Sequence, residues 1–477
     1  MKLLLCYPPV SDQYEKIRDS GLAPHLSLLC LASQARFKFK GIKIKIIDGH
    51  HFDSKKIKEL IDEFKPDLAG FSVDFTNYQS AIGLSKYCKR FKIKVLLGSN
   101  HASNLYEQIL ANQPSVDAIV CNDGEDGLVG YINHLLGKMS LGQVPNLAYR
   151  QDGKVVRNAL KTFDLKLMKE PAYDLCDMEE YFKRQQKVFG KNFRMLQFTS
   201  QRGCVNFPLC VFCGRYPDGY RLRPARIVAR EVLKYIKRYN LNEVWDRSDS
   251  FIQSLSWLKE FRDEIYSQKY NPFKDKTVTF KTYARGDQLL KPEVIELLKD
   301  LNFRIVFIGY EAGDDRILKN IGKNSKVESY YQATKNVLDA GMQIDASFIV
   351  GLPGENKASL ANHIKFVKKL VKMGLRKIRV NRLLVLPGTP LYRKVLEKYP
   401  QLRDKDIYDM QEIQEKLFTT DYYNLKDFGG SVKKFKLALN DTAEEMTHLV
   451  TVAGGGAEGY GHGKSKMILS GSEYEKK

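Results

Sequence analysis

Along the first 140 residues, short apolar runs alternate with stretches whose apolar positions recur every three or four residues. Leu3–Cys6, Ile42–Ile47, Leu68–Ser72, Ile93–Gly98 and Asp117–Cys121 have the length and character of strands. Helices are predicted between and after them, over 24–39, from Asp53-Ser54 to Phe64, and over 79–91, 102–112 and 125–137. In the first, Leu26, Leu29, Cys30 and Ala32 face inward. In the second, Asp53 and Ser54 are good N-caps, because their oxygens accept from orphan backbone N–H groups, and Ile57, Leu60, Ile61 and Phe64 share one face. Five βα units in succession predict an α/β fold that opens with a doubly wound, Rossmann-like parallel sheet. Such sheets bind ligands at the carboxyl ends of their strands.

The alternation resumes near residue 190. Strands are predicted at Met195–Ser200, Glu243–Asp246, Thr277–Tyr283, Arg304–Tyr310, Gln343–Val350 and Lys377–Leu384, with Pro224 in the first turn of a helix over 224–239. Six βα strands suffice for a partial (β/α)6, TIM-like barrel, whose chemistry lies at the carboxyl ends of the strands. The chain divides accordingly into 1–140, a linker over 141–189 with an extended crossing segment at Glu170–Asp174, a core over 190–398, a small helical C-terminal region over 399–452, and a Gly-rich flexible tail over 453–477.

Charge changes this picture little. The 477 residues carry 77 Lys and Arg against 56 Asp and Glu, a formal net charge of +21. The basic residues are spread over segments such as FKFKGIKIK and VKKFK and alternate with apolar ones, as solvated faces do. A nucleic-acid partner is therefore allowed but not favoured. No apolar run approaches the ~20 residues of a membrane span. The opening MKLLLCYPPV is too short to be a signal peptide and is broken by Pro8 and Pro9. The expected location is the cytoplasm. The cysteine pattern agrees with a reducing compartment: of eight, five are scattered in apolar surroundings.

The other three cluster. Residues 195–216 read MLQFTSQRGCVNFPLCVFCGRY, a strand running into a C-x5-C-x2-C loop of Cys204, Cys210 and Cys213. A structural zinc site almost always has four ligands, and no fourth Cys or His lies nearby in sequence. Three thiolates suit a [4Fe-4S] cluster with one iron open. Zinc and a purely structural role remain the alternatives.

This loop resembles the radical SAM signature, with two more residues between the first two ligands than the common C-x3-C-x2-C. The resemblance continues in order at the ends of the later strands: Ser248-Asp249-Ser250-Phe251, Ala284-Arg285, Gly309-Tyr310-Glu311-Ala312-Gly313, Gly351-Leu352-Pro353-Gly354-Glu355 and Pro387-Gly388-Thr389-Pro390. It implies that Cys204, Cys210 and Cys213 hold a [4Fe-4S] cluster whose open iron chelates S-adenosylmethionine (SAM). It further implies that Phe212 packs on the adenine and that Glu311 accepts from the ribose hydroxyls or amino group. Arg285 would pair with the SAM carboxylate, and the Gly351–Gly354 turn would bring backbone close to the adenine. Asp246 and Asp249 lie at the same strand ends.

The first 140 residues resemble the cobalamin-binding domain that precedes many radical SAM cores. The matching places are Cys6-Tyr7-Pro8-Pro9, the Pro24–Ala32 helix, Ser72, Gly98-Ser99-Asn100-His101 and Asn122-Asp123-Gly124-Glu125, with Ser99 standing where the family has glycine. Cobalamin would then meet Ser72, Gly98, Ser99 and Gly124. His50, in Asp48-Gly49-His50, is expected to be an ordinary polar loop residue, with no histidine of the chain on cobalt, and His101 a loop residue near the corrin or its tail. The resemblance implies a radical SAM enzyme, in first place a cobalamin-dependent C-methyltransferase acting on a small molecule or peptide and drawing electrons from a flavodoxin or ferredoxin. The alternatives are a cobalamin-independent radical SAM enzyme making rings or rearrangements, or an RNA-modifying methylthiotransferase, which would need three further cysteines for a second cluster.

Overall fold

The computed structural model describes residues 1–11, 21–216, 219–404, 410–454 and 456–458. The chain forms two compact units, Met1–Arg184 with Pro400–Tyr408, and Gln185–Tyr399 with Asp409–Lys477.

In the first unit, β1 (Lys2–Tyr7), β2 (Lys43–Asp48), β3 (Leu68–Ser72), β4 (Lys94–Gly98) and β5 (Ala118–Val120) run parallel in the order β2-β1-β3-β4-β5. The chain winds outward from β1 in both directions, so the order reverses beside β1, where a doubly wound sheet opens a crevice. The inner strands β1, β3 and β4 are mostly apolar because both faces are covered, while the edge strand β2 alternates lysine and isoleucine, and Leu3, Leu5, Leu68 and Leu96 are buried in one core. The predicted helices form at Leu26–Lys38, Ser54–Phe64, Tyr78–Lys89 and Gly124–Leu135. Asp53 caps the second by accepting from Lys56 N. The helix expected over 102–112 is instead two, Asn100–Asn104 and Tyr106–Asn112, broken where Leu105 takes φ −118°.

The stretch 141–189, expected as a linker, adds to this sheet. β6 (Leu147–Gln151) pairs antiparallel with β5, and β7 (Lys154–Arg157) with β6. Asp152 and Gly153 join them, both at positive φ (50° and 74°). That is the conformation of the tight two-residue turn whose twist matches the flanking strands.

The second unit opens with β8 (Met195–Phe198), then β9 (Gln201–Gly203) and β10 (Tyr220–Leu222), which form a small antiparallel ribbon. β11 (Glu243–Asp246), β12 (Thr279–Ala284), β13 (Phe303–Glu311), β14 (Gln343–Val350) and β15 (Lys377–Arg382) follow β8 in an all-parallel sheet. These are the six strands expected of the partial barrel. A further strand, β16 (Gly456–Glu458), pairs with β15. These three residues fall within the tail expected to be flexible, and the rest of it after 458 lies outside the described residues. Phe280 of β12 and Phe303 of β13 pack ring to ring with Phe251, and Phe261 packs on Phe251 and Phe280. The C-terminal helix Val432–Val452 lies against the helix Lys357–Met373 and β15. Among the described residues no helix is long and apolar enough to cross a membrane.

Candidate active site

The cysteine loop is built on Gly203. This residue sits at φ +94°, and a Cβ there would run into the Gly219 carbonyl that accepts from Cys204 N at 3.2 Å. Only glycine allows the β9–β10 ribbon to close that tightly. Two side chains from the end of β11 hold the entry: Asp249 accepts from Gly203 N (3.0 Å) and pairs with Arg215, while Gln253 donates to Gly203 O (2.8 Å) and accepts from Val205 N (2.8 Å). Asn206 ties the loop internally. Its backbone N–H points at Cys204 Sγ and its amide at Cys210 Sγ, both at 3.5 Å, and the same amide donates to Pro208 O (3.0 Å) and Gly322 O (2.9 Å). Val211 is anchored on either side by Ile321 O and Leu391 N.

All three thiols are partly exposed, as is Phe212 between the last two. Burial pushes the Cys210 thiol up to about 11, with the Lys323 cation pulling against it. Buried Lys323 donates to Glu311 Oε1 (2.8 Å) and Gly309 O (2.6 Å), and Arg285 lies within electrostatic reach of Cys204. Two cations thus flank three thiols, an arrangement that compensates the negative charge of a thiolate-bound cluster. Among the described residues, the set whose three ligand atoms all lie within 4.8 Å of one another is His25, Asp48 and His50. A structural zinc almost always takes four protein ligands, whereas three thiolates from one loop leave one iron of a [4Fe-4S] cluster open. The donor set fits [4Fe-4S].

The strand ends around the loop hold the other expected residues. Glu311 ends β13 at φ +62° and is buried. Arg285 directly follows β12, and its guanidinium is engaged by Asp287, with Nε at 3.0 Å and a second nitrogen at 3.3 Å. The Gly351–Gly354 turn is also committed: Tyr423 OH donates to Gly351 O (2.6 Å), Gly351 N to Glu355 (2.8 Å), Gly354 N to Tyr422 O (2.9 Å), and Arg316 to Gly354 O (2.7 Å). These hydrogen bonds fix the turn at the end of β14. Asp246 is fully buried at the end of β11, accepting from Ser200 Oγ and from Ser248 N (2.6 Å). Burial raises its carboxyl to about 6 against those hydrogen bonds.

In the first unit, Ser72, Gly98, Ser99 and Gly124 lie at the carboxyl ends of β3, β4 and β5. Ser99 is exposed and takes φ +82°, ψ 172°, a backbone state that belongs to glycine. A Cβ on Gly124 would come within 2.9 Å of Leu31. His101 is not a loop residue: it is buried in the short helix Asn100–Asn104, and burial lowers its imidazole to about 4. His50 likewise is no ordinary loop residue, since it is buried against Asp48 and His25.

Residues 198–367 match the radical SAM superfamily. Over 381 residues, 78% of both chains, the sequence is 27% identical to an uncharacterized methyltransferase of Pyrococcus horikoshii. It is 24% identical to the cytidylyl-2-hydroxyethylphosphonate methyltransferase of Streptomyces wedmorensis, covering 62% of this chain and 60% of that one. Among solved structures, the fold resembles the cobalamin-dependent SAM radical enzyme OxsB, with a TM-score of 0.70 at 16% identity over 94% of this chain and 72% of that one. It also resembles the radical SAM methyltransferase TsrM of Kitasatospora setae, whose structure holds cobalamin and a [4Fe-4S] cluster, with a TM-score of 0.66 at 14% identity, covering 83% and 78%.

Sequence reasoning missed Asn206, Gln253 and Lys323, which fix or charge the loop, and Tyr423, which clamps the Gly351 turn. Asn206 alone had a local signal, an amide inside a ligand loop.

Proposed function

We propose, for this radical SAM enzyme, cobalamin-dependent methylation of an unactivated carbon on a small molecule or peptide. The observation that carries the reading is the pairing, in one chain, of a three-thiol loop flanked by Lys323 and Arg285 with a doubly wound unit whose Ser99 is held in a glycine-like state at a strand end.

Cys204, Cys210 and Cys213 would hold the cluster, which when bound supplies the electron that splits SAM and releases a 5'-deoxyadenosyl radical. Phe212 offers its ring to the adenine. Glu311 is held by Lys323 as a charged acceptor for the ribose hydroxyls or amino group. Arg285 would bind the SAM carboxylate by exchanging it for Asp287, whose pairing keeps the guanidinium oriented beforehand. Ser72, Gly98, Ser99 and Gly124 would border the corrin, which when bound supplies the methyl carrier, and no histidine of the chain is assigned to cobalt. A cytoplasmic setting with a flavodoxin or ferredoxin as reductant belongs to the same proposal. The methylthiotransferase alternative is weakened by Cys6, Cys30, Cys88 and Cys121, all buried, the first three carried by different elements and the last just after β5, rather than gathered on one loop.

The test is anaerobic reconstitution with iron and sulfide, with and without cobalamin, read by EPR and by products from SAM. The expected outcome is about four irons per chain, 5'-deoxyadenosine formed only when Cys204, Cys210 and Cys213 are all present, and S-adenosylhomocysteine formed only with cobalamin. The bound cob(II)alamin should lack nitrogen splitting from an axial ligand. A cluster without cobalamin retention would leave radical SAM chemistry and remove the methyl carrier.

A further inference from the structure

The first unit contains a second constellation that this reading does not use. β2 ends at Asp48, the chain turns through Gly49 to His50, and His25 stands at the start of the helix Leu26–Lys38. The turn has no slack: Gly49 N donates to Tyr7 O (2.7 Å), and a Cβ on Gly49 would strike the Tyr7–Pro9 backbone. Three ligand atoms converge there. His50 Nδ1 is 3.0 Å from Asp48 Oδ1 and 3.2 Å from His25 Nε2, and the last two are 3.7 Å apart.

We propose that His25 Nε2, Asp48 Oδ1 and His50 Nδ1 form a binding site for a divalent transition-metal ion, zinc by its ligand chemistry. A triangle with those sides has a circumscribed radius of about 1.9 Å, so an ion just above its plane lies at the ~2.0–2.2 Å typical of Zn–N and Zn–O bonds from all three atoms. Asp48 Oδ1 also accepts from His50 N at 2.9 Å, which fixes the carboxylate beside the two imidazoles. Two imidazoles and one carboxylate with a fourth position for water are a donor set of catalytic zinc sites.

The surroundings are those of a supported ligand set. Tyr181 OH donates to Asp48 Oδ2 at 2.7 Å, which orients the carboxylate with Oδ1 toward the histidines. The Tyr7 ring stacks on both imidazoles, at 3.7 Å from His25 and 4.8 Å from His50, and is itself fixed by a 2.7 Å hydrogen bond to Asp74. Asp48 and His50 are buried, while the His25 side chain is 23% exposed and gives an ion a way in and a fourth position open to water.

The experiment uses the full chain with Cys204, Cys210 and Cys213 changed to alanine, so that the loop takes no metal and the outcome is independent of the cluster chemistry. After chelator treatment it is titrated with Zn2+ against a chromophoric competitor, and with Co2+ in the visible. The site predicts one ion per chain, visible Co2+ d–d bands, and no thiolate charge-transfer band. His25→Gln, at the partly exposed ligand, should weaken Zn2+ by about 100-fold with an unchanged circular dichroism spectrum, and Tyr181→Phe by about 10-fold. No stoichiometric binding, equal binding after His25→Gln, or a thiolate band would each overturn the assignment.

Discussion

At Ser99 the backbone adopts φ +82° and ψ 172°, a region that costs a non-glycine residue ~1–3 kcal/mol. The side chain is exposed and the Ser103 bonds to Ser99 O are backbone-accepted, so glycine would keep them. Ser99→Gly should therefore raise stability by about 1 kcal/mol, the relief of strain less the greater freedom of glycine in the unfolded chain. A urea midpoint that fails to rise in the variant would show that Ser99 is unstrained. Asp246 makes the opposite kind of prediction. Its carboxyl is moved by burial from an ordinary 3.8 to about 6. The folded state therefore binds the proton more tightly than the unfolded chain. Stability is full below pH ~4, falls as pH rises toward 6, and levels above it, with a total loss on the order of 3 kcal/mol. Asp246→Asn keeps the acceptor for Ser248 N and removes the charge, so its denaturation midpoint should be flat over pH 4–6.5 where the parent's falls. Parallel slopes in the two proteins would refute the assignment.

The elements were legible where their signals are local. Parallel strands buried on both faces read as apolar runs, and Asp53 announced its helix by capping it. The three cysteines were legible because they share one short loop. The β6–β7 hairpin also had a signal, Asp152-Gly153 between two β-rich runs, within the stretch expected to be a linker. Lys323 and Tyr423 had none, since the fold alone brings a lysine to Glu311 and a tyrosine to the Gly351 carbonyl across 72 residues of chain. Gly203 shows how an element places a ligand. Because the β9–β10 ribbon closes only over a missing Cβ, Gly203→Ala must open the ribbon and move Cys204. Reconstituted iron should drop well below four per chain while the circular dichroism spectrum of the chain stays close to that of the parent. Full iron in Gly203→Ala would mean that Cys204 is positioned independently of the ribbon.

Over the whole chain the charge of +21 is unevenly engaged. Part is matched inside the second unit: Arg223 pairs with Glu231, both nearly inaccessible, Lys281 and Arg304 converge on Glu243, and Lys377 and Arg379 on Asp345. The excess lies on solvent faces, as on the helix Lys357–Met373, where Lys365, Lys368, Lys369 and Lys372 are exposed at helical spacing. Such a stripe meets phosphates without reading bases. Single-stranded RNA should bind without sequence preference, no tighter than ~1 µM at physiological salt, and with affinity falling steeply as salt rises. Changing Lys365, Lys368 and Lys372 to glutamate should lower the slope of log affinity against log salt by about one per lysine that contacts a phosphate. Fluorescence anisotropy with two unrelated oligonucleotides checks both points. A saturable sub-micromolar complex with only one of them, surviving at 0.2 M salt and indifferent to the lysine changes, would move the substrate from a small molecule or peptide to RNA. The stripe would then be irrelevant, because such recognition must come from residues that touch bases.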